Sequence, residues 1–117
     1  MNIKLRVANL IKKYKTNDPY QLAKELGINV MHLDLPQCVR GFIVQILNQK
    51  YIVLNNSLSK IDQKVVLCHE LGHAHLHLKY NFCYRYGDTY FDTTNKEVEA
   101  NEFAEYLLLY DCDSTKR

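Results

Sequence analysis

The chain has 117 residues, which suits a single domain, residues 1 to 117, without internal repeats. Its net charge of +2 comes from 15 basic and 13 acidic residues, a balance that does not indicate nucleic acid or an anionic membrane as the main partner. No apolar run approaches the ~18 residues of a membrane span, and residues 1 to 15 lack the pattern of a signal peptide. The four cysteines form no C-x-x-C pair, so we expect reduced thiols in a cytoplasmic protein.

Two helices are predicted at the N-terminus. Apolar residues recur at helical spacing through residues 2 to 15, which predicts an amphipathic helix. Asp18 is a good N-cap and Pro19 a good first residue for a second helix, which Gly27 ends. This second helix resembles the first half of a DNA-binding helix-turn-helix. An alternating apolar run follows it where a recognition helix would be needed, so we do not expect DNA binding.

Three β-strands are predicted between residues 28 and 56. Apolar residues alternate from Met31 to Leu35, which is typical of a strand. Gly41 to Leu47 and Tyr51 to Leu54 are rich in β-branched and aromatic residues, and Asn48-Gln49-Lys50 between them favours a hairpin. We therefore expect a small, largely antiparallel three-stranded sheet. Gly41 to Leu47 is predicted to offer an edge along which an extended peptide binds by strand addition.

The stretch His69-Glu70-Leu71-Gly72-His73 has the form H-E-x-x-H. Ser59 is a plausible helix start, and apolar residues from Ile61 to Leu78 recur at helical spacing, so this helix should be mostly buried. His69 and His73 would lie one turn apart on one face, where both can reach one zinc ion. Glu70 is placed to accept a proton from a water molecule at the metal. A histidine pair on a solvated helix face is the simpler alternative, but the apolar setting disfavours it.

A catalytic zinc usually has three protein ligands, and the motif supplies two. A third histidine at the metzincin spacing would occupy position 79, which is Lys79. His75 and His77 are poorly placed for the same ion, so we expect them to support or pack beside the site. The remaining candidates are carboxylates on the predicted last helix, Lys96 to Tyr110, and we choose Glu97.

The choice of Glu97 over Glu99 is geometric. Glu97 belongs to the stripe Glu97, Asn101, Ala104 and Leu108, whose small residue permits close helix packing. Glu99 points about 200° away, toward a face that looks solvated. The alternative is that Thr94 caps the helix and Glu97 is only its capping-box partner.

Tyrosines dominate the segment from Tyr80 to Thr94, which we interpret as an ordered loop over the site. The residues that could stabilise a developing oxyanion or support the metal ligands are His75, His77, Asn101, Tyr86 and Tyr90. The sequence does not choose among them. Asp111 to Arg117 is expected to be a polar tail.

H-E-L-G-H at 69–73, followed by E-V-E-A-N-E-F-A at 97–104, resembles the ImmA/IrrE family of small zinc metallopeptidases. Asp18-Pro19 and the residues up to Ile28 also resemble that family, so the resemblance covers nearly the whole chain. It implies an α+β fold with a minimal gluzincin-like core of N-terminal helices, sheet, zinc-motif helix and glutamate helix. It also implies a cytoplasmic enzyme, often carried by phages or mobile elements, whose relatives act on helix-turn-helix repressors.

These observations predict a zinc-dependent endopeptidase with one Zn²⁺ per chain, held by His69, His73 and Glu97. Glu70 would be the general base, and the substrate would be a protein, such as a helix-turn-helix repressor. The alternative function is that of a zinc-containing anti-repressor that binds and regulates a repressor without cleaving it. An intact Glu70 disfavours that alternative, because a pure binder needs no base at this position.

Overall fold

The computed structural model describes residues 2–76, 82–85 and 95–110. In chain order, the elements are α1 (Ile3–Tyr14), α2 (Pro19–Glu25), β1 (Ile28–Leu33), β2 (Val39–Ile46), β3 (Gln49–Asn55), α3 (Lys60–Leu76), β4 (Phe82–Arg85) and α4 (Asn95–Leu109). The predicted α+β class is confirmed. Within the described ranges, no helix is both long enough and apolar enough to cross a membrane.

The beginnings and ends of the N-terminal helices follow from local side-chain chemistry. The Asn2 side chain accepts a hydrogen bond from the backbone nitrogen of Leu5 at 3.0 Å and so caps α1. Asp18 caps α2 in the predicted way, with Pro19 as the first helical residue. After α2 the chain turns at Gly27, whose φ of +73° suits glycine, and enters β1. A strand therefore stands where a recognition helix would have to lie.

The sheet has the strand order β1-β3-β2-β4. β2 pairs antiparallel with both β3 and β4, whereas β1 pairs in parallel with β3. The three predicted strands all form, but their sheet is mixed rather than largely antiparallel, because β2 and β3 pair antiparallel while β1 and β3 pair in parallel. β4 adds a fourth strand inside the segment that the sequence analysis interpreted as a loop. Four residues are too few for local propensity to predict a strand. β4 forms because β2 lies beside it and pairs with it.

Two details of the predicted hairpin are wrong. The turn consists of Leu47 and Asn48, with φ values of 50° and 67°, rather than of residues 48 to 50. Positive φ at both positions gives a two-residue turn whose twist matches that of the flanking strands. The predicted free edge is also absent over Gly41 to Ile43, because β2 is paired there with β3 on one side and β4 on the other.

The core lies where α3 packs between the sheet and α4. Its largest fully buried side chains include Leu22, Ile52, Leu54, Leu67, Leu71, Phe103 and Leu107. Every residue of α3 from Val66 to Ala74 is buried, which confirms the expected burial of the motif. The expectation fails for Ile61, which is 76% exposed, because the first turn of α3 lies outside the core.

Asn55 joins the end of β3 to the segments on either side of it. Its side-chain nitrogen donates hydrogen bonds to the backbone carbonyls of Leu35, Pro36 and Val39 at 3.3, 3.2 and 2.9 Å. Its side-chain oxygen accepts hydrogen bonds from the backbone nitrogen and hydroxyl of Ser57 at 3.0 and 2.8 Å. Asn55 is only 1% exposed, so these bonds satisfy a polar group that water does not reach. The amide thereby fixes the connection that leads into α3.

We predict that Asn55→Asp lowers the free energy of unfolding by about 3 kcal/mol, measured by urea denaturation. The carboxylate keeps the shape of the amide but loses its donors, and it faces three carbonyl oxygens. Asn56→Asp is the matched control, because Asn56 is exposed and should tolerate the same change within about 0.5 kcal/mol. Equal effects of the two substitutions would contradict the structural role of Asn55.

Candidate metal centre

The motif places two imidazoles and a carboxylate in the interior of the protein. His69 and His73 are 2% and 0% exposed, and Glu70 is 0% exposed. The two imidazole rings lie edge to face with their centroids 4.8 Å apart. One nitrogen or oxygen atom from each of His69, Glu70 and His73 lies within 4.8 Å of the others. Burial of polar groups at this density costs free energy unless they bind one another or a cation.

Helix α4 brings a second carboxylate to the two histidines. Glu97 Oε2 lies 2.8 Å from His73 Nε2 and 3.4 Å from His69 Nε2, and Glu97 is buried. Burial raises the pKa of Glu97, but its hydrogen bonds with both histidines outweigh this effect and hold the pKa at about 2. Glu97 is therefore an ionised carboxylate at neutral pH, and it contacts both imidazoles of the motif. The proposed capping partner, Thr94, lies outside the described residues.

The close packing of α3 and α4 depends on Gly72. A Cβ atom at this position would lie 3.1 Å from the Cα and carbonyl oxygen of Ala100, and 3.1 Å from Phe103 Cβ. Any larger residue would push against the backbone of α4, the helix that carries Glu97. Gly72 was not among the site residues predicted from the sequence. A glycine inside a predicted helix is itself an indication of close packing. It costs about 1 kcal/mol of helix stability relative to alanine, so it often marks a position where another element comes close.

Glu70 is in a different environment from Glu97. Both of its carboxylate oxygens are buried, and neither has a hydrogen-bond partner among the described residues. Burial raises the pKa of Glu70 well above its usual value, and the negative charge of Glu97 raises it further. The carboxylate of Glu97 is thus paired with both imidazoles, while the oxygens of Glu70 are available for a molecule that enters the site.

The arrangement of donors suits a zinc ion. Two imidazole nitrogens and a carboxylate oxygen form a donor set that zinc commonly takes in catalytic sites. Ligand atoms of a tetrahedral zinc with bonds near 2.0 Å lie roughly 3.3 Å apart. The separations of 2.8 and 3.4 Å between Glu97 Oε2 and the two Nε2 atoms require only small adjustments to reach that value.

Cys68 precedes the first histidine but is not suited to the same ion. It is fully buried, and on a helix it points about 100° away from His69. Burial raises the pKa of its thiol to about 12, so the thiol is neutral at physiological pH.

Several other predicted residues lie around this centre or outside the described chain. Asn101 is half-buried one turn after Glu97 on α4. The half-buried ring of His75 lies 5.8 Å from that of Phe103, and both burial and the charge of Arg6 lower the pKa of His75. Its packing against α4 is consistent with a supporting role. Glu99 is half-buried rather than fully solvated. The remaining candidates, His77, Tyr86 and Tyr90, lie outside the described residues.

Comparison with known families adds evidence that is independent of this geometry. The chain matches the family model of the peptidase M78 group, described as an IrrE N-terminal-like domain, over residues 23–116. It therefore belongs to this family, as its resemblance to ImmA/IrrE metallopeptidases implied.

A curated relative is the "Uncharacterized immunity region protein 2" of Bacillus phage phi105. The two sequences are 45% identical over 109 residues, which cover 93% of this chain and 69% of the phage protein. The similarity therefore extends over both the N-terminal helices and the helices that carry the candidate metal centre.

We predict that Gly72→Ala lowers the free energy of unfolding by about 1–3 kcal/mol in urea denaturation, although alanine is the better helix former. The added methyl group would meet the backbone of Ala100, which cannot rotate away as a flexible side chain could. A gain in stability for Gly72→Ala would show that α4 does not approach α3 as closely as described.

Proposed function

We propose that this protein is a zinc-dependent endopeptidase with one zinc ion per chain, held by His69, His73 and Glu97. The observation that carries this proposal is the convergence of the Glu97 carboxylate on the Nε2 atoms of both histidines in a buried site. Membership of a peptidase family supports the same function.

Zinc bound at these residues would supply Lewis acidity, which polarises a scissile carbonyl group and lowers the pKa of a water molecule. Glu70 acts as the general base: it accepts a proton from the attacking water and delivers it to the leaving amine. The free oxygens of Glu70 support this role, because they are not engaged by other described side chains. Before zinc binds, pairing with both histidines keeps Glu97 negatively charged, and the same Oε2 and Nε2 atoms would then serve as zinc ligands.

We propose a cytoplasmic protein substrate, in particular a helix-turn-helix repressor of a phage or mobile element. Two findings support this class of substrate: the family to which the chain belongs, and a relative whose name assigns it to the immunity region of a phage. Control of the same repressor by binding alone is the alternative, and the Glu70 experiment below distinguishes it from cleavage.

The purified protein is predicted to contain about one zinc ion per chain, measured by inductively coupled plasma mass spectrometry. His73→Ala should lose the metal, because it removes one of two buried imidazole donors. His32→Ala is the matched control, because His32 is exposed on β1 and should leave the zinc content unchanged. Wild-type protein that neither contains a divalent ion nor binds added zinc would refute the proposed metal site.

Glu70→Gln should retain zinc and the folded structure but abolish cleavage of a partner repressor. The amide has nearly the same shape as the carboxylate but cannot accept the proton. Cleavage is followed by gel electrophoresis and mass spectrometry, with zinc content measured on the same samples. Equal cleavage by the wild type and by Glu70→Gln would refute the proposed role of Glu70 and the peptidase mechanism that depends on it. Equal biological activity without cleavage by either would favour regulation by binding.

Glu97→Gln is predicted to weaken zinc binding by orders of magnitude, because it removes a charged ligand from a buried site. Glu99→Gln, two residues along the same helix, is the matched control and should bind zinc like the wild type. Zinc affinity is measured by competition with a chromophoric chelator. If Glu97 is only a capping residue, Glu97→Gln would cost about 1 kcal/mol of stability and leave zinc affinity unchanged.

A further inference from the structure

The positive charge of the chain is concentrated at its N-terminus. Residues 1–17 contain five of the 15 basic residues and none of the 13 acidic ones, so the rest of the chain has 10 basic and 13 acidic residues. The five are Lys4, Arg6, Lys12, Lys13 and Lys15, which lie on α1 or directly after it. Helix α1 is therefore a basic element on a protein whose remaining sequence has a net negative charge.

A groove of about 610 Å³ runs between the outer side of α1 and the end of α4. Leu5, Ala8 and Ile11 of α1 line it together with Tyr110, and Lys12 and Lys15 also border it. Leu5 is 53% exposed, so its side chain is accessible to a molecule that enters the groove. The groove thus combines an apolar surface with two ammonium groups.

The end of this groove is fixed by contacts within the protein. Lys15 adopts a left-handed conformation, with φ of 58°, and ends α1. The side-chain nitrogen of Asn17 then donates a hydrogen bond of 2.9 Å to the carbonyl oxygen of Tyr110. This bond ties the end of α1 to the end of α4, so the walls of the groove have a defined separation.

The lysines of the groove are not neutralised within the described part of the chain. No described carboxylate lies within 4.0 Å of the ammonium group of Lys12 or Lys15. Two positive charges that no described carboxylate neutralises attract an anionic partner, and this attraction strengthens when apolar contacts exclude water.

We propose that this groove binds an acidic amphipathic segment of a partner protein. An apolar side chain of the segment contacts Leu5 and Ala8, while its carboxylates pair with Lys12 and Lys15. Nucleic acid fits less well, because a phosphate backbone would pair with the lysines and leave the apolar surface without a partner. No proposed metal or catalytic residue lines the groove, so this binding does not depend on the proposed peptidase activity.

The probe is a fluorescein-labelled helical peptide of about 14 residues that carries leucine on one face and glutamate beside it. Binding to the full chain is measured by fluorescence anisotropy at two salt concentrations. Two further peptides replace either the leucines by serine or the glutamates by glutamine, and an oligothymidylate of similar length tests nucleic acid. We expect the first peptide to bind at least about tenfold more tightly than each of the others, with an affinity that falls as salt rises.

The double substitution Lys12→Glu/Lys15→Glu should weaken binding of the first peptide at least about tenfold. Leu5→Ser should also weaken it, and because Leu5 is 53% exposed we expect the substituted chain to fold. Lys60→Glu/Lys64→Glu is the matched control, because it reverses two exposed lysines on α3 and should change the affinity less than about twofold.

Backbone amide shifts in NMR spectra of the full chain should change at Leu5, Ala8 and Lys12 when the peptide is added. Absence of binding, or equal effects of the α1 and α3 charge reversals, would overturn the proposal. Tighter binding of the oligonucleotide, or of the peptide without leucine, would show an unspecific anionic surface and would also overturn it.

Discussion

The structure depends on one close contact, the packing of α4 against α3 at Gly72. The absence of a side chain there lets the backbone at Ala100 approach α3 to within van der Waals contact. This approach brings Glu97, one turn earlier on α4, to 2.8 Å from the Nε2 atom of His73. A side chain at position 72 would push against the backbone of α4, the helix that carries Glu97.

The same contact creates two carboxylates with opposite electrostatic environments in one buried site. Glu97 is held in its charged form by two imidazoles, whereas burial and the charge of Glu97 raise the pKa of Glu70. Buried charged groups are stable only when they pair, bind a cation or shift their pKa, and this cluster fits the proposed metal site. His69, Glu70 and His73 occupy buried positions of α3 that apolar side chains usually fill. Clusters of this kind are concentrated at functional sites.

Much of the fold could be predicted because local chemistry determines it. Asp18, Pro19 and Gly27 define α2 through capping and backbone preferences, and the motif spacing puts His69 and His73 on one face. Features that depend on distant partners were missed. They include β4, which forms against β2, and the exposure of Ile61. Ile61 has the helical spacing of a buried residue, but it lies in the first turn of α3, outside the core. Likewise, the sequence suggested Glu97, but only the packing at Gly72 shows how α4 reaches the histidines.

The basic groove along α1 is separate from the candidate metal centre, so the proposed partner binding and the proposed peptidase activity can be tested separately. The central claim is that His69, His73 and Glu97 hold the metal. Zinc K-edge X-ray absorption of the zinc-loaded protein tests it most directly, because Cys68 adjoins the motif. We predict a first shell of nitrogen and oxygen only, at about 2.0–2.1 Å, with the outer-shell scattering of two imidazoles. A sulfur scatterer near about 2.3 Å, or scattering from a single imidazole, would contradict the account.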